Sequence, residues 1–239
     1  MFAQRFRPGV RMTLFVAFLL PGVLLLGNWQ LERGAFKRGL ETQYLAALTQ
    51  LPKVLRSDDD RPPFTRVRLT GRFVQDQYFL VDNQVVGGRV GYWLIHVFHT
   101  QAGRFLVNRG FIAGGNDRAQ LPEVVTPSGQ VSLVGMIWPF TGLVPPLEED
   151  QWADGWPKRV QRLDAKQMAA IANAVDVEIR LEPGQPGVDD AAPFAAVLSD
   201  AKHRGYAATW FGLGIALTLG YLVFGVMQAR AKHHHHPPS

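Results

Sequence analysis

The sequence predicts two transmembrane helices flanking an extracytoplasmic α+β domain built mainly of antiparallel strands, a small barrel or sandwich with a short helix insertion. Three observations carry this. Met12–Leu31 and Gly205–Ala229 are uncharged runs of 20 and 25 residues, each about the length a helix needs to cross hydrocarbon. The segment between them alternates short apolar-patterned stretches with Gly, Pro, Asn and Asp clusters, as strands and their turns do. One stretch in it, opened by Asp164, has helical character instead.

The first run follows Arg5, Arg7 and Arg11, which resembles the basic start of a cleaved leader. Its length, and Gly27-Asn28-Trp29-Gln30-Leu31 where a small-x-small cleavage site belongs, favour a retained anchor. Pro21-Gly22 within it is tolerated in a membrane helix. Beyond the span, Phe36, Leu40, Tyr44 or Leu45, Leu48 and Leu51 recur every three to four residues, so the helix is expected to continue as an amphipathic one up to Pro52. Ser57 to Pro63 is a polar linker whose acidic run reads as a solvated loop, because it lacks the glycine and ligand spacing of a calcium loop.

In Phe64–Val74, Val67, Leu69 and Phe73 alternate with Arg66, Arg68, Thr70 and Arg72, the period of a strand with one wet face. Further strands are expected at 78–81, 90–98, 105–112, 131–138, 159–163 and 177–181, with a short capped helix at 165–174. The domain boundaries follow: a tail at 1–11, a span at 12–31, the α+β domain at 32–204, a span at 205–229 and a tail at 230–239. The His tract at 233–236 reads as a tag remnant or incidental tract.

The two tails carry five cations and no acid, so the positive-inside rule places both termini in the cytoplasm and the central domain outside. The chain holds 25 Lys and Arg against 20 Asp and Glu. Without the five tail cations the remainder is 20 against 20, so the basic pI does not point to nucleic acid. With no cysteine, thiolate metal sites and disulfide exchange are excluded.

No nucleophile elbow, paired-histidine zinc helix or phosphate loop is present, so no catalytic residue is named. His96 and His99 are three apart, and on a strand such residues face opposite ways, so they are not expected to share a metal. The remaining candidate is the junction at the second span. Lys202, His203 and Arg204, with Tyr206 and Trp210, read either as a cationic collar with an aromatic belt or as a haem site, the His203 imidazole ligating the iron beside cations suited to propionates. Trp29 and Arg33, at the end of the first span, belong to the same membrane level.

"LGNWQLERGAFK" (26–37), "RVRLTGRF" (66–73), "VDNQVVGGRVGY" (81–92), "LVNRGFI" (106–112) and "KHRGYAATWF" (202–211) resemble, in order, the signature blocks of the Surfeit-locus-one (Shy) family. The resemblance implies a two-span bacterial inner-membrane protein, not an enzyme, that acts as a chaperone in respiratory-chain biogenesis. It would bind haem A, in transit or substoichiometrically, receive it from haem A synthase and assist its insertion into the largest subunit of cytochrome c oxidase. A scaffold that stabilises oxidase assembly intermediates without binding haem is the alternative. The family's proposed haem-binding histidine falls on His203, its tryptophan on Trp29 and its arginine on Arg33, with Tyr206 and Trp210 beside them. The sequence departs from the family pattern at Phe36 and Phe111, where tryptophan is usual, and at Thr209, where glutamine is expected.

Overall fold

The computed structural model describes residues 6–56, 60–115, 120–139, 152, 154–191 and 198–233. Most of the acidic run (Asp58, Asp59) and of the His tract (His234–His236) lies outside them. The chain divides into two compact units, one formed by 1–42 with 195–239 and the other by 43–194.

The first unit is a pair of helices, α1 (Val10–Leu48) and a C-terminal helix (Ala201–His233), whose number in chain order is α3. Both are long and apolar enough to cross a membrane. Phe18, Leu25, Ile215 and Met227 stand exposed on them, which a core helix of a water-soluble protein would not allow but a lipid-facing one does. Pro21 sits inside α1 without ending it. The 39 residues of α1 extend the helix well past the uncharged run, as the amphipathic pattern after Leu31 requires.

The two helices run antiparallel. Thr13 shares a hydroxyl hydrogen bond with Tyr221 at 2.9 Å, Gly27 meets the Phe211 ring and Gly34 meets His203. On α1 the seam runs through Val16, Val23, Gly27, Gln30 and Gly34, a spacing of three, four or seven residues that keeps one stripe against a neighbouring helix. Small residues there let the backbones close, since close packing replaces the hydrophobic drive inside a bilayer.

The second unit is a sheet of seven strands. They are β1 (Lys53–Val54), β2 (Arg66–Val86), β3 (Arg89–Thr100), β4 (Gly103–Ala113), β5 (Val131–Trp138), β6 (Lys158–Val160) and β7 (Val175–Leu181), with α2 (Ala165–Ala172) before β7. The first half of β2 pairs with β5, Arg66 opposite Met136 and Gly71 opposite Val131. Its second half pairs with β3. Then β3 pairs with β4, β4 lies parallel to β7, and β7 returns antiparallel to β5. The ring β2-β3-β4-β7-β5 therefore closes, which decides for a barrel over a sandwich, with the five strands of a small Greek-key barrel.

One expected break is absent. The sequence suggests separate strands at 64–74 and 78–81, but β2 runs through, bending at register shifts after Phe73 and after Val81. Asp76 and Asn83 adopt φ of 57° and 60° at these bends, a conformation that Asp and Asn tolerate better than other side chains. The expected strand at 159–163 forms only as β6, beside β2. The helix opens as predicted, with Asp164 accepting from the Gln167 amide at 3.0 Å, and it ends at Asn173 in the left-handed region.

Val67, Leu69, Phe73, Phe98, Phe105, Val107, Leu133 and Ile179 form one buried cluster. Phe79, Ile95, Val97, Leu106 and Met168 form another, where α2 packs on the strands. The strands β3 and β4 are buried on both sides, which is why they read as nearly continuous apolar runs.

At Gly110 the backbone has φ of +97°, and a Cβ there would lie 2.1 Å from the Asp190 carbonyl oxygen. The neighbouring Phe111 amide donates to that same oxygen at 2.7 Å. Gly110→Ala combines a disfavoured backbone with a backbone collision and is expected to destabilise the domain by about 2 kcal/mol or more. Thermal unfolding of the full chain, with Gly103→Ala as a control at a positive φ facing open space, measures the collision separately.

Candidate functional site

The helix α3 opens with a polar knot. Asp200 pairs with Arg38 of α1 at 2.5 Å and with Arg204 at 3.9 Å, and its carbonyl accepts from the Arg204 amide at 3.1 Å. The Arg38 guanidinium holds the Asp200 carboxyl below the usual carboxylate range. This knot fixes the first turn of α3, the turn that carries His203.

His203 is half-buried at the seam. Its Nδ1 lies 2.9 Å from Oε1 of Gln30, and its Cβ lies 3.5 Å from where a Cβ on Gly34 would be. An amide oxygen only accepts, so Nδ1 donates; in the neutral ring Nε2 then bears the lone pair. Among the described residues Nε2 has no hydrogen-bond partner, and it is not sealed from its surroundings.

Trp29, Arg33 and Tyr206 are exposed and Trp210 is half-buried. At about 100° per residue, Trp29 and Arg33 fall on one flank of the α1 stripe, and Tyr206 and Trp210 on one flank of the α3 stripe. Because the helices are antiparallel, these flanks are the same side of the pair. Arg204 falls on the other side, committed to Asp200. Thr209 donates its hydroxyl to the Gly205 carbonyl of its own helix at 3.1 Å, so it replaces none of the reach a glutamine would have.

A family model described as the SURF1 family matches residues 17–215, most of α1, the whole barrel and the first half of α3 included. The chain belongs to the SURF1 family. It is similar to a SURF1-like protein of Rickettsia conorii, 27% identical over 229 residues, covering 89% of this chain and 90% of the relative. A SURF1-like protein of Rickettsia felis is 26% identical over 218 residues, covering 84% and 91%. The family acts generally in cytochrome oxidase assembly and is not a known enzyme family, and the two apolar helices make this member a two-span membrane protein.

Gln30 is the site residue that sequence reasoning missed. It lies inside the quoted block 26–37 but carries no charge and no aromatic ring to mark it. Its position four residues before Gly34 and three after Gly27, on the small-residue stripe, is the signal that could have found it.

Elsewhere in this SURF1-family chain the sequence candidates resolve differently. His96 is fully buried and His99 exposed, the opposite facing that a strand imposes, and no group of three or more His, Cys, Asp or Glu among the described residues could hold a metal. Arg66, on the strand face read as wet, is fully engaged. It grips Glu182 through two hydrogen bonds of 2.7 and 3.0 Å and donates to the Leu48 and Gln50 carbonyls at the end of α1.

His96 belongs to a buried network. Its Nε2 donates to the Val74 carbonyl at 2.9 Å, and its Nδ1 accepts from Arg109 at 3.0 Å. Arg109 also donates to the Gly187 and Val125 carbonyls, both at 2.7 Å, and lies over the Phe73 ring. Burial lowers its guanidinium to about 10, which leaves it charged at neutral pH. Burial, with the Arg109 charge adding to it, lowers the His96 imidazole to about 4.

The imidazole is thus neutral in the fold and takes up a proton near pH 6.5 once unfolded. Its contribution to stability is full above pH 6.5 and is lost as pH falls toward 4. The loss amounts to about 3 kcal/mol at most. His96→Gln preserves a donor and an acceptor without titrating. The difference in unfolding free energy between wild type and this variant should shrink or reverse across that window, as acid-denaturation curves of the full chain will read.

Proposed function

We propose that this SURF1-family protein binds haem A at the junction of its two spans, taking it from haem A synthase and assisting its insertion into the largest subunit of cytochrome c oxidase. His203 is the iron ligand in this reading. The observation that carries it is the hydrogen bond from Nδ1 to Gln30, which in the neutral ring leaves the Nε2 lone pair without a partner among the described residues. A histidine used only as part of a cationic collar needs no such partner; one used as a metal ligand has its other ring nitrogen held.

The residues present fit the group. Trp29, Tyr206 and Trp210 supply aromatic surface on one flank of the helix pair, and Arg33 on the same flank supplies a cation for a propionate. Bound haem would supply an iron that takes an imidazole nitrogen as a ligand, held here by His203. What the chain itself does is hold the ring, shield one side of it and present charge to the carboxylates. Binding is transient in this reading, since a carrier must release what it delivers.

The cationic tails support a cytoplasmic location for both termini in a bacterium and a periplasmic one for the barrel, the side on which it would meet the oxidase subunit. The exposed apolar faces of both helices favour a second reading, a scaffold that packs against oxidase subunits in the bilayer and binds no cofactor.

Purified from cells that make haem A, the wild-type protein is expected to carry a Soret absorption that His203→Ala diminishes at least several-fold. A colourless wild type under those conditions refutes haem binding. Co-purification with the largest oxidase subunit that survives His203→Ala, with the oxidase's haem content unchanged, decides for the scaffold.

A further inference from the structure

We propose that Gln30 is a positioning residue that fixes the tautomer and orientation of the His203 imidazole while adding no charge to it, so that Nε2 is held ready for a metal that is also easily surrendered. This rests on the haem reading above for what Nε2 meets, but its first claim concerns the free protein alone.

Three features of the seam support it. First, the Gln30 side chain crosses between the helices, flanked on α1 by two glycines that face α3. A Cβ on Gly27 would lie 2.8 Å from the Phe211 ring, and one on Gly34 would lie 3.5 Å from His203 Cβ. The first distance is a collision, so a side chain at position 27 would disturb the packing beside the 2.9 Å bond, while the second is ordinary van der Waals contact that sets Gly34 against His203. Second, the other amide on this stretch is already engaged, Asn28 donating to Glu32 at 2.8 Å on its own helix. Gln30 is directed across the seam instead. Third, an unpaired amide or imidazole nitrogen at the edge of hydrocarbon is costly, so Gln30 Oε1 and His203 Nδ1 each remove the other's penalty. The pairing leaves Nε2 as the ring atom without a partner among the described residues.

The chemical identity of the partner matters as much as its place. Histidines that hold a metal permanently are commonly backed by a carboxylate, which pushes electron density into the ring and strengthens the bond. A glutamine orients the ring without that push. Such a choice suits a carrier, in which the ligand must be aimed but must let go.

The test uses the full-length protein in lipid nanodiscs, haem-free, with 15N-labelled histidine. The His203 ring signals are identified by their loss in His203→Ala. Long-range proton–nitrogen correlation should show wild-type His203 protonated at Nδ1. Gln30→Leu should move it toward the Nε2-protonated form, and Gln30→Glu, which keeps an acceptor oxygen, should retain the wild-type tautomer.

In a second arm, haem-loaded protein is mixed with excess apomyoglobin and the rate of haem loss is followed. Gln30→Leu should weaken haem retention by roughly 10 to 100-fold, the usual range for removing such a partner, and Gln30→Glu should slow the loss below the wild-type rate. An unchanged tautomer in Gln30→Leu overturns the positioning role whatever haem does. A changed tautomer in Gln30→Leu, together with a wild type that takes up no haem, supports the positioning role and refutes the proposed function instead. Equal haem-loss rates in wild type and Gln30→Glu overturn the claim that the neutral amide tunes release.

Discussion

The barrel depends on β2 serving two halves of the ring. Its first residues pair with β5 and its last with β3, so the strand has to bend sharply or the ring stays open. Register shifts, with left-handed backbone at Asp76 and Asn83, supply the bend, as bulges do in small barrels. Closure has consequences for every other element. It creates a lumen filled by residues such as Phe73, Phe98 and Phe105, while α2 and Met168 cover strands from outside. It also sets Arg109 where two distant loops pass, and the guanidinium binds both through Gly187 and Val125. A charge without a carboxylate hydrogen-bonded to it persists there because carbonyl oxygens, an imidazole and an aromatic face take up its donors and its field.

The helix pair obeys a different rule. In a bilayer the apolar side chains gain nothing by leaving lipid, so association rests on close backbone approach and on a few polar bonds. Both are arranged in order along the seam. Gly214 packs against Leu20, Val23 and Leu24, and Gly27 against Phe211. The Gln30–His203 hydrogen bond follows, then the Arg38–Asp200 ion pair. Polarity thus rises steadily toward one end, and the imidazole sits where apolar packing gives way to charge.

Much of this was legible in the sequence. Uncharged runs of the right length marked both spans, the strand at 131–138 was read with its observed bounds, and period-two reasoning separated His96 from His99. The features that were not legible share a cause, in that each depends on contacts distant in sequence. The stretch Gln75-Asp76-Gln77 falls in the gap between two expected strands, and only pairing with β3 and the neighbouring strands makes it a bend within one strand. Arg109 reads as a polar strand residue, because the carbonyls that bury it come from 16 and 78 positions away. Gln30 looks like an indifferent polar residue in an apolar run until α3, 173 positions on, is laid against it. The family resemblance pointed to His203 but not to Gln30, its hydrogen-bond partner.

The closed ring also limits how this domain can recognise another protein. Among the described residues, the strands left outside the ring are β1, with two residues, and β6, with three. Neither is long enough to template an added strand, which is how many domains capture an extended peptide and how exposed edges draw misfolded chains into aggregates. Among the described residues these two strands therefore offer another chain no long backbone ladder to join. Recognition falls to side chains on loops and helices, which can be released one contact at a time.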